Sequence, residues 1–457
     1  MADPNGYQPE VGQRETWGSR VGFILAAAGS AIGLGNIWRF PYLTGTSGGG
    51  AFILLYLIAI AIIGYPIMIA EITIGRTTQR NPVGAFKALA PNTPWYLVGS
   101  LGVLAGFFIL SYYSVVAGWS VSYVFKALFG SFAPGTDYAG AFVSHISGVW
   151  EPIIWHGIFM ALTIGIIASG VVDGIQRSVS VMMPLLFCLL LLLVIRSVTL
   201  PGAMEGIAFL VKPDFSAVTA RTFLDALSQA FFSLSLGMGA MITYGSYLSK
   251  KEDIGGNAAW VVGLDTMAAI IAGFAIFPAV FALGFEPSQG PGLTFITLPA
   301  VFAEMPLGKF FATIFFILLS IAALTSAISL LEVVVAWLVD EKGWSRPRAS
   351  VVLGIICFII GVPTSLGYST LSHITFLGMD LLDTYDWVAN SLMLPLGGLL
   401  IAIFTGYVWG AQKAADAANH TTGGVKVGAW WMFLIRYVAP ILTGLVMLSG
   451  LMSRLGG

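Results

Sequence analysis

The residues of this 457-residue chain best suited to hold ions are oxygens gathered in two glycine-rich interruptions, GSAIGLGN from Gly29 to Asn36 and SLSLGMG from Ser233 to Gly239. Glycine is conformationally permissive and weakens a helix by about 1 kcal/mol against alanine, so both stretches are expected to unwind. An unwound helix presents carbonyl oxygens and two half-helix ends, and hard cations take oxygen ligands. Bare backbone at Gly33 and Gly35, beside a half-helix N-terminus, suits an anionic group. Downstream, positions 322, 325 and 326 share one helical face, which sets the hydroxyls of Thr325 and Ser326 together. Plainer alternatives exist for both features. Small residues let helices pack closely, and hydroxyls in membrane helices usually bond back to the preceding turn.

Other chemistry is not legible. The chain lacks GxSxG, HExxH, a phosphate-cradling loop and paired carboxylates on a common face, which argues against an enzyme. Cys188 and Cys357 sit inside apolar runs as small hydrophobes, and the four histidines have no zinc spacing, so no disulfide framework or metal cluster is readable. A formal net charge of -1, with basic residues scattered among loops, argues against a nucleic-acid partner.

The elements that must position these oxygens are membrane helices. Hydrophobic residues make up 57% of the chain and charged residues 9%, and the mean hydropathy is +0.88, more apolar surface than a soluble core buries. A span needs about 20 apolar residues. Runs of that length lie near 18–43, 49–75, 95–128, 152–171, 175–198, 222–249, 257–285, 307–339, 349–366, 380–410 and 428–452, which makes eleven. The polar N-terminus has no cleavable-signal pattern, so the first run is read as a retained span. With the N-terminus in the cytoplasm, most of the 21 Lys and Arg residues, among them Arg14, Arg20, Arg76, Arg80, Lys250 and Lys251, fall on that side, and the odd count puts the C-terminus outside. Segments 129–151 and 199–221 read as interfacial helices and loops. The two interruptions open successive five-span blocks, the pattern of a midplane site in an inverted-repeat transporter. The chain thus divides into a tail over 1–13 and one membrane domain over 14–457, with repeats over about 14–199 and 215–412 and an eleventh helix at about 428–452.

RETWGSRVGFILAAAGSAIGLGNIWRFPYL, GGGAFILLYL and FFSLSLGMGAMITYGSYLSK strongly resemble the neurotransmitter:sodium symporter family, and the likeness runs from about Arg14 to the last span. The chain resembles the family's bacterial amino-acid branch. That resemblance implies an all-α polytopic fold like that of the bacterial leucine transporter, with an inverted 5+5 repeat and broken first and sixth helices. It further implies two sodium sites: the Ala31 carbonyl, Asn36, Ser233 and Asp265, joined by the substrate carboxylate; and the carbonyls of Gly29, Ile32 and Ala322 with the hydroxyls of Thr325 and Ser326. Asp265 departs from the asparagine common in relatives, and Ala269 stands where chloride-dependent animal members place a chloride-binding serine. A buried carboxylate there is expected to replace chloride.

The resemblance sends the substrate carboxylate to Gly33, Gly35 and Tyr113, and the side chain to Ile109, Phe232, Ser235, Met238, Ser326 and Leu330, with Ala31 and Ser233 completing the substrate-binding set. Amine transporters of the family carry aspartate where this chain has Gly33, so an amino acid is implied, and the apolar lining suits a hydrophobic or aromatic one. Arg39 and Asp386 resemble an external gate, and Arg14 and Asp340, with Trp17 and Tyr247 nearby, an inner one. Glu71 and Gln229 resemble a polar pair supporting the sixth-span break, and Gly174 with Pro184 a motif for unwinding the fifth span. The reading is sodium-coupled symport of hydrophobic or aromatic L-amino acids by alternating access, independent of chloride, in a bacterial or archaeal plasma membrane. Proton-coupled or exchange transport, and a non-transporting sensor, are the alternatives. The Thr325, Ser326 and Asn36 oxygens favour sodium.

Overall fold

The structure is a computed structural model that describes residues 15–286, 292–421 and 424–455. Among these residues its regular structure is helical, apart from two isolated bridges, Gly49 with Pro213 and Phe376 with Met379. Buried backbone in lipid must satisfy its own hydrogen bonds, and a chain this apolar does so by winding.

The first span is a bent pair, α1 (Arg20–Ala31) and α2 (Gly35–Thr46), meeting at 51°. There follow α3 (Gly50–Thr78), the short α4 (Pro82–Leu89), α5 (Tyr96–Leu128), α6 (Tyr138–Ile146), α7 (Trp150–Ala168), α8 (Val171–Val198) and α9 (Ala203–Val211). The second half holds α10 (Ala220–Ser233), α11 (Ala240–Ser246), α12 (Ile254–Ala282), α13 (Leu293–Glu304), α14 (Gly308–Lys342), α15 (Arg346–Leu366), α16 (Leu381–Val408), α17 (Ala411–Ala418) and α18 (Ala429–Ser453). Among the described residues nine helices are long and apolar enough to cross a membrane, ten with the bent pair as one span. The remaining expected span, the sixth, around 222–249, falls on α10 and α11, 14 and 7 residues long, and neither is long enough to cross alone.

The core explains the placement of the breaks. Residues Ala26 to Ser30 of α1 are buried on every face, so the broken span runs through the centre of the bundle. It packs against α8, α12 and α14, while α14 runs beside α5. Small side chains allow these approaches: the α-hydrogen positions of Gly29 face Met183 of α8 and Thr325 of α14.

Candidate functional site

The first break forms where α1 ends. Ile32 N–H makes the last helical bond, to Ala28 O at 2.7 Å, and Ile32 then turns extended. α2 restarts with a wide turn in which Phe40 N–H reaches back five residues to Gly35 O. The backbone groups this frees are met from outside. Gly33 N–H donates to Asn36 Oδ1 at 3.1 Å, Leu34 N–H to the Tyr113 hydroxyl at 3.3 Å, and Gln229 Nε2 to Gly35 O at 2.9 Å.

The sixth-span break, residues 234–239, carries three positive φ angles: Ser235 at 53°, Gly237 at 80° and Gly239 at 75°. A left-handed residue with a side chain costs about 1–2 kcal/mol. Ser235 is held there by its hydroxyl, which donates to Ser30 O at 2.8 Å and joins the two breaks directly. Gly237 N–H donates to Glu71 Oε1 at 2.7 Å.

Two oxygen clusters sit against these breaks. In one, the fully buried Asp265 carboxylate accepts from Asn36 Nδ2 at 2.7 Å, from Ser233 Oγ at 2.9 and 3.0 Å, and from the Tyr56 hydroxyl at 3.2 Å. All of these donors are neutral. In the other, Thr325 Oγ1 donates to Ile32 O at 3.3 Å and Ala322 O at 2.9 Å, and Ser326 Oγ lies 3.5 Å from Gly29 O and 3.1 Å from Ser30 O. Two hydroxyls and carbonyls from both helices therefore converge on one point.

Between the clusters lies a cavity of about 30 Å³, lined by Ala31, Gly33, Gly35, Ile109, Tyr113 and Phe232 and, further in, by Ser235, Met238, Ser326 and Leu330. Ten of the eleven expected substrate residues meet here. Ser233 does not line it, since its hydroxyl turns to Asp265, and Ser30 and Leu34 were not anticipated. The walls need bare backbone: a Cβ on Gly33 would lie 2.4 Å from Ser326 Oγ, and one on Gly35 2.9 Å from the Phe232 ring.

Phe232 and Tyr113 also floor a second, larger cavity of about 300 Å³ that holds Arg39 and Asp386 among aromatic walls. The expected external pair does not form, because no nitrogen of Arg39 lies within 4.0 Å of the Asp386 carboxylate. Arg39 instead donates to Gln229 Oε1 at 3.3 Å and Ser228 Oγ at 3.2 Å and lies over the Phe232 ring, while Asp386 accepts from Asn390 Nδ2 at 2.7 Å. Each charge has found neutral partners on its own side. Gln229 likewise serves the first break and Arg39, and it is not hydrogen-bonded to Glu71, the member of the pair that bonds to the sixth.

At the opposite end Trp17 is buried, its indole donating to Tyr244 O at 2.9 Å and its backbone N–H to Tyr247 O at 3.0 Å. Arg14 lies outside the described residues. Asp340 accepts from Asn81 N–H and Nδ2 at 3.0 and 3.2 Å. Sequence reasoning passed over a neighbouring chain of contacts: the Tyr247 hydroxyl donates to Glu332 at 2.5 Å, and Arg346 bridges Glu332 at 2.6 Å and Glu15 at 2.9 Å. The signal was present, a lone glutamate in the apolar run of α14. Gly174 and Pro184 both lie within α8, which is helical without interruption over Val171–Val198, so the expected unwinding is not adopted here.

A sequence model of the sodium:neurotransmitter symporter family matches residues 14–136 and 147–455. A sodium-dependent transporter of Bacillus subtilis, YhdH, is 41% identical over 95% of this chain and 97% of its own length. A sodium-dependent transporter of Haemophilus influenzae is 39% identical over 96% and 98%. Among solved structures, the crystal structure of MhsT in complex with L-phenylalanine matches with a TM-score of 0.88 at 50% identity, over 96% of this chain and all of that one.

Proposed function

The chain belongs to the sodium:neurotransmitter symporter family, and on that premise we propose that it imports hydrophobic or aromatic L-amino acids with sodium by alternating access and without chloride. The observation that carries the reading is Asp265: a buried carboxylate met only by neutral donors, beside a cavity edged by bare helix ends. A charge so placed is costly unless a cation joins it. Asn36, Ser233, Asp265 and the Ala31 carbonyl would take one sodium ion, with the substrate carboxylate as a further ligand, so that ion and amino acid bind together. Gly29, Ile32, Ala322, Thr325 and Ser326 would take a second.

Gly33, Gly35 and Tyr113 would hold the amino-acid carboxylate, and Ile109, Phe232, Met238 and Leu330 the apolar side chain, with Ser235 and Ser326 between them. L-Phenylalanine in MhsT, at 50% identity, supports an aromatic substrate. The two five-span halves would act as inverted repeats in a bacterial or archaeal plasma membrane, the N-terminal end of α1 facing the cytoplasm. Asp265 would supply the charge that chloride supplies elsewhere, since Ala269, one turn on, offers no ligand.

The test is uptake of L-phenylalanine into proteoliposomes under an imposed sodium gradient, with chloride present or replaced by gluconate. Equal uptake is expected in both, and Asp265→Asn should lose sodium affinity by at least about tenfold, roughly the worth of one charge-assisted contact. Uptake driven by a pH gradient in sodium-free buffer, or uptake that requires chloride, would overturn the reading.

A further inference from the structure

Glu71 is a second carboxyl buried inside a membrane helix, and its surroundings differ from those of Asp265. It is fully buried on α3. Oε1 accepts one hydrogen bond, from Gly237 N–H at 2.7 Å, and Oε2 has no partner among the described residues. No cation among the described residues pairs with it. The titratable groups on the elements packed against α3 are engaged elsewhere or turned away. On α10 Arg221 pairs with Asp225, on α9 Glu205 is exposed, and on α2 Arg39 donates to Gln229 and Ser228 while Tyr42 lines the larger cavity. On α16 Asp383 is exposed, Tyr385 stacks on Phe108, Asp386 accepts from Asn390 and Tyr407 donates to Arg436 O. Asp265 of α12 is held by Asn36, Ser233 and Tyr56, Lys87 of α4 pairs with Glu341, and the Tyr244 ring of α11 packs on Trp17. On α17, Asp416 accepts from Gln412 and Lys413 is exposed, and on α18 Arg436 donates to Gly406 O and Tyr437 is exposed. On α3 itself, Arg76 is spent on the Glu252 and Ala417 carbonyls and the Tyr65 hydroxyl on Gly255 O.

An ionised carboxylate with one neutral donor and no counter-charge is expensive at membrane depth, whereas a neutral carboxyl accepts the same N–H through its carbonyl oxygen at little cost. The partner makes the protonation state matter. Gly237 is the central left-handed residue of the sixth-span break, wedged against α16 so closely that a Cβ on Gly237 would lie 2.4 Å from Leu394 O and one on Gly397 2.2 Å from Gly237 O. The carboxyl thus seats the middle of a link whose N-terminal side carries Ser233 and Ser235.

We propose that Glu71 is a proton-binding site, protonated while the 234–239 link is seated against α16, and that the proton passes from its carboxyl to water when the link moves away. The site couples external or cytoplasmic pH to the sixth-span break, whatever cargo the cavity takes. Alkaline pH unseats the link and slows transport.

The experiment uses the full chain in lipid vesicles. Difference infrared spectra of the wild type minus Glu71→Gln at pH 7 should contain the C=O stretch of a protonated carboxyl, and that band should fade as pH rises. Over the same range wild-type sodium-driven uptake should fall, about tenfold for each pH unit past the midpoint, while Glu71→Gln keeps its uptake and Glu71→Ala loses it. A carboxylate-only spectrum at pH 7 overturns the proposal, and so does a Glu71→Gln profile that follows the wild type or is as inactive as Glu71→Ala. The infrared band reads the proton independently of transport, so a failure of the sodium assignment is told apart from a failure of this one.

Discussion

One methyl group at Gly33 would sit 2.4 Å from Ser326 Oγ and 3.0 Å from the Tyr113 hydroxyl, so that both the cavity wall and the Thr325–Ser326 cluster would have to give way. Overpacking of this kind costs about 1–3 kcal/mol, which would weaken apparent affinity for L-phenylalanine and sodium together by roughly 5- to 150-fold. Equilibrium binding to Gly33→Ala, measured as a function of both concentrations, checks this. Loss of one affinity without the other would show that wall and cluster are separate. The glycine was legible in the sequence because an interruption in an apolar run is a local feature. So were Asn36, Ser233, Thr325 and Ser326, whose oxygens fall in or beside the interruptions or share a helical face. Tyr56 was not legible: its hydroxyl reaches Asp265 across 209 residues of chain, and an isolated tyrosine in an apolar helix carries no mark of its target. Gln229 shows the converse error. The resemblance assigned it with Glu71 to the sixth-span break, but the packing of α10 on the first break makes Gly35 O its partner.

At the scale of elements, the two broken helices were foreseeable and the short helix α6 was foreseeable only as a connection. It matters because Phe142 and Ile146 line the larger cavity, with the Phe142 ring stacked 5.6 Å from Phe295. α6 is fastened by His145, whose Nδ1 lies 2.9 Å from Glu151, itself 3.1 Å from Lys126 Nζ. Burial, reinforced by the Lys126 charge and opposed by Glu151, pushes the His145 imidazole down to about 4. The unfolded segment would titrate near pH 6.5. Above that value neither form holds the proton and the docking is intact. As pH falls from 6.5 toward 4 the undocked form takes up a proton that the docked form refuses, so stability is lost, by about 2 kcal/mol at most at pH 5. Amide exchange of residues 138–146, corrected for the intrinsic effect of pH, should lose protection between pH 7 and pH 5. His145→Gln should abolish that difference, and a helix equally protected at both values would refute the role of His145.

At the scale of the whole molecule, the two ends differ. On one side the 300 Å³ cavity reaches down to Phe232 and the Arg39 and Asp386 charges stand apart; on the other, Trp17 plugs the end of α11 and Arg346 ties Glu332 to Glu15. Neither outcome could be read from residue types, because whether two charges pair depends on the conformation adopted, and the same Arg39 serves Gln229 and Ser228 in this one. Among the described residues expected at gates, Arg39 and Asp386 lie at one end of the bundle and Trp17, Tyr247 and Asp340 at the other, the arrangement that an alternating-access reading needs. The plug is the better target. Trp17 is ringed by Phe23, Tyr244 and Tyr247 at 5.2 to 6.2 Å, and deleting a buried aromatic of this size costs about 3–5 kcal/mol. If that burial exists only while the Trp17 end is closed, Trp17→Ala withdraws it from one state alone, and a few kcal/mol is enough to take a closed end from about 100:1 to near parity. The variant should therefore still bind L-phenylalanine but accumulate it poorly under a sodium gradient. Its α11 amides should exchange faster than those of the wild type, while those of α5 stay protected. Uniform loss of protection would mean that the substitution unfolds the bundle, and unchanged accumulation would mean that the seal lies in the Glu332–Arg346–Glu15 chain instead.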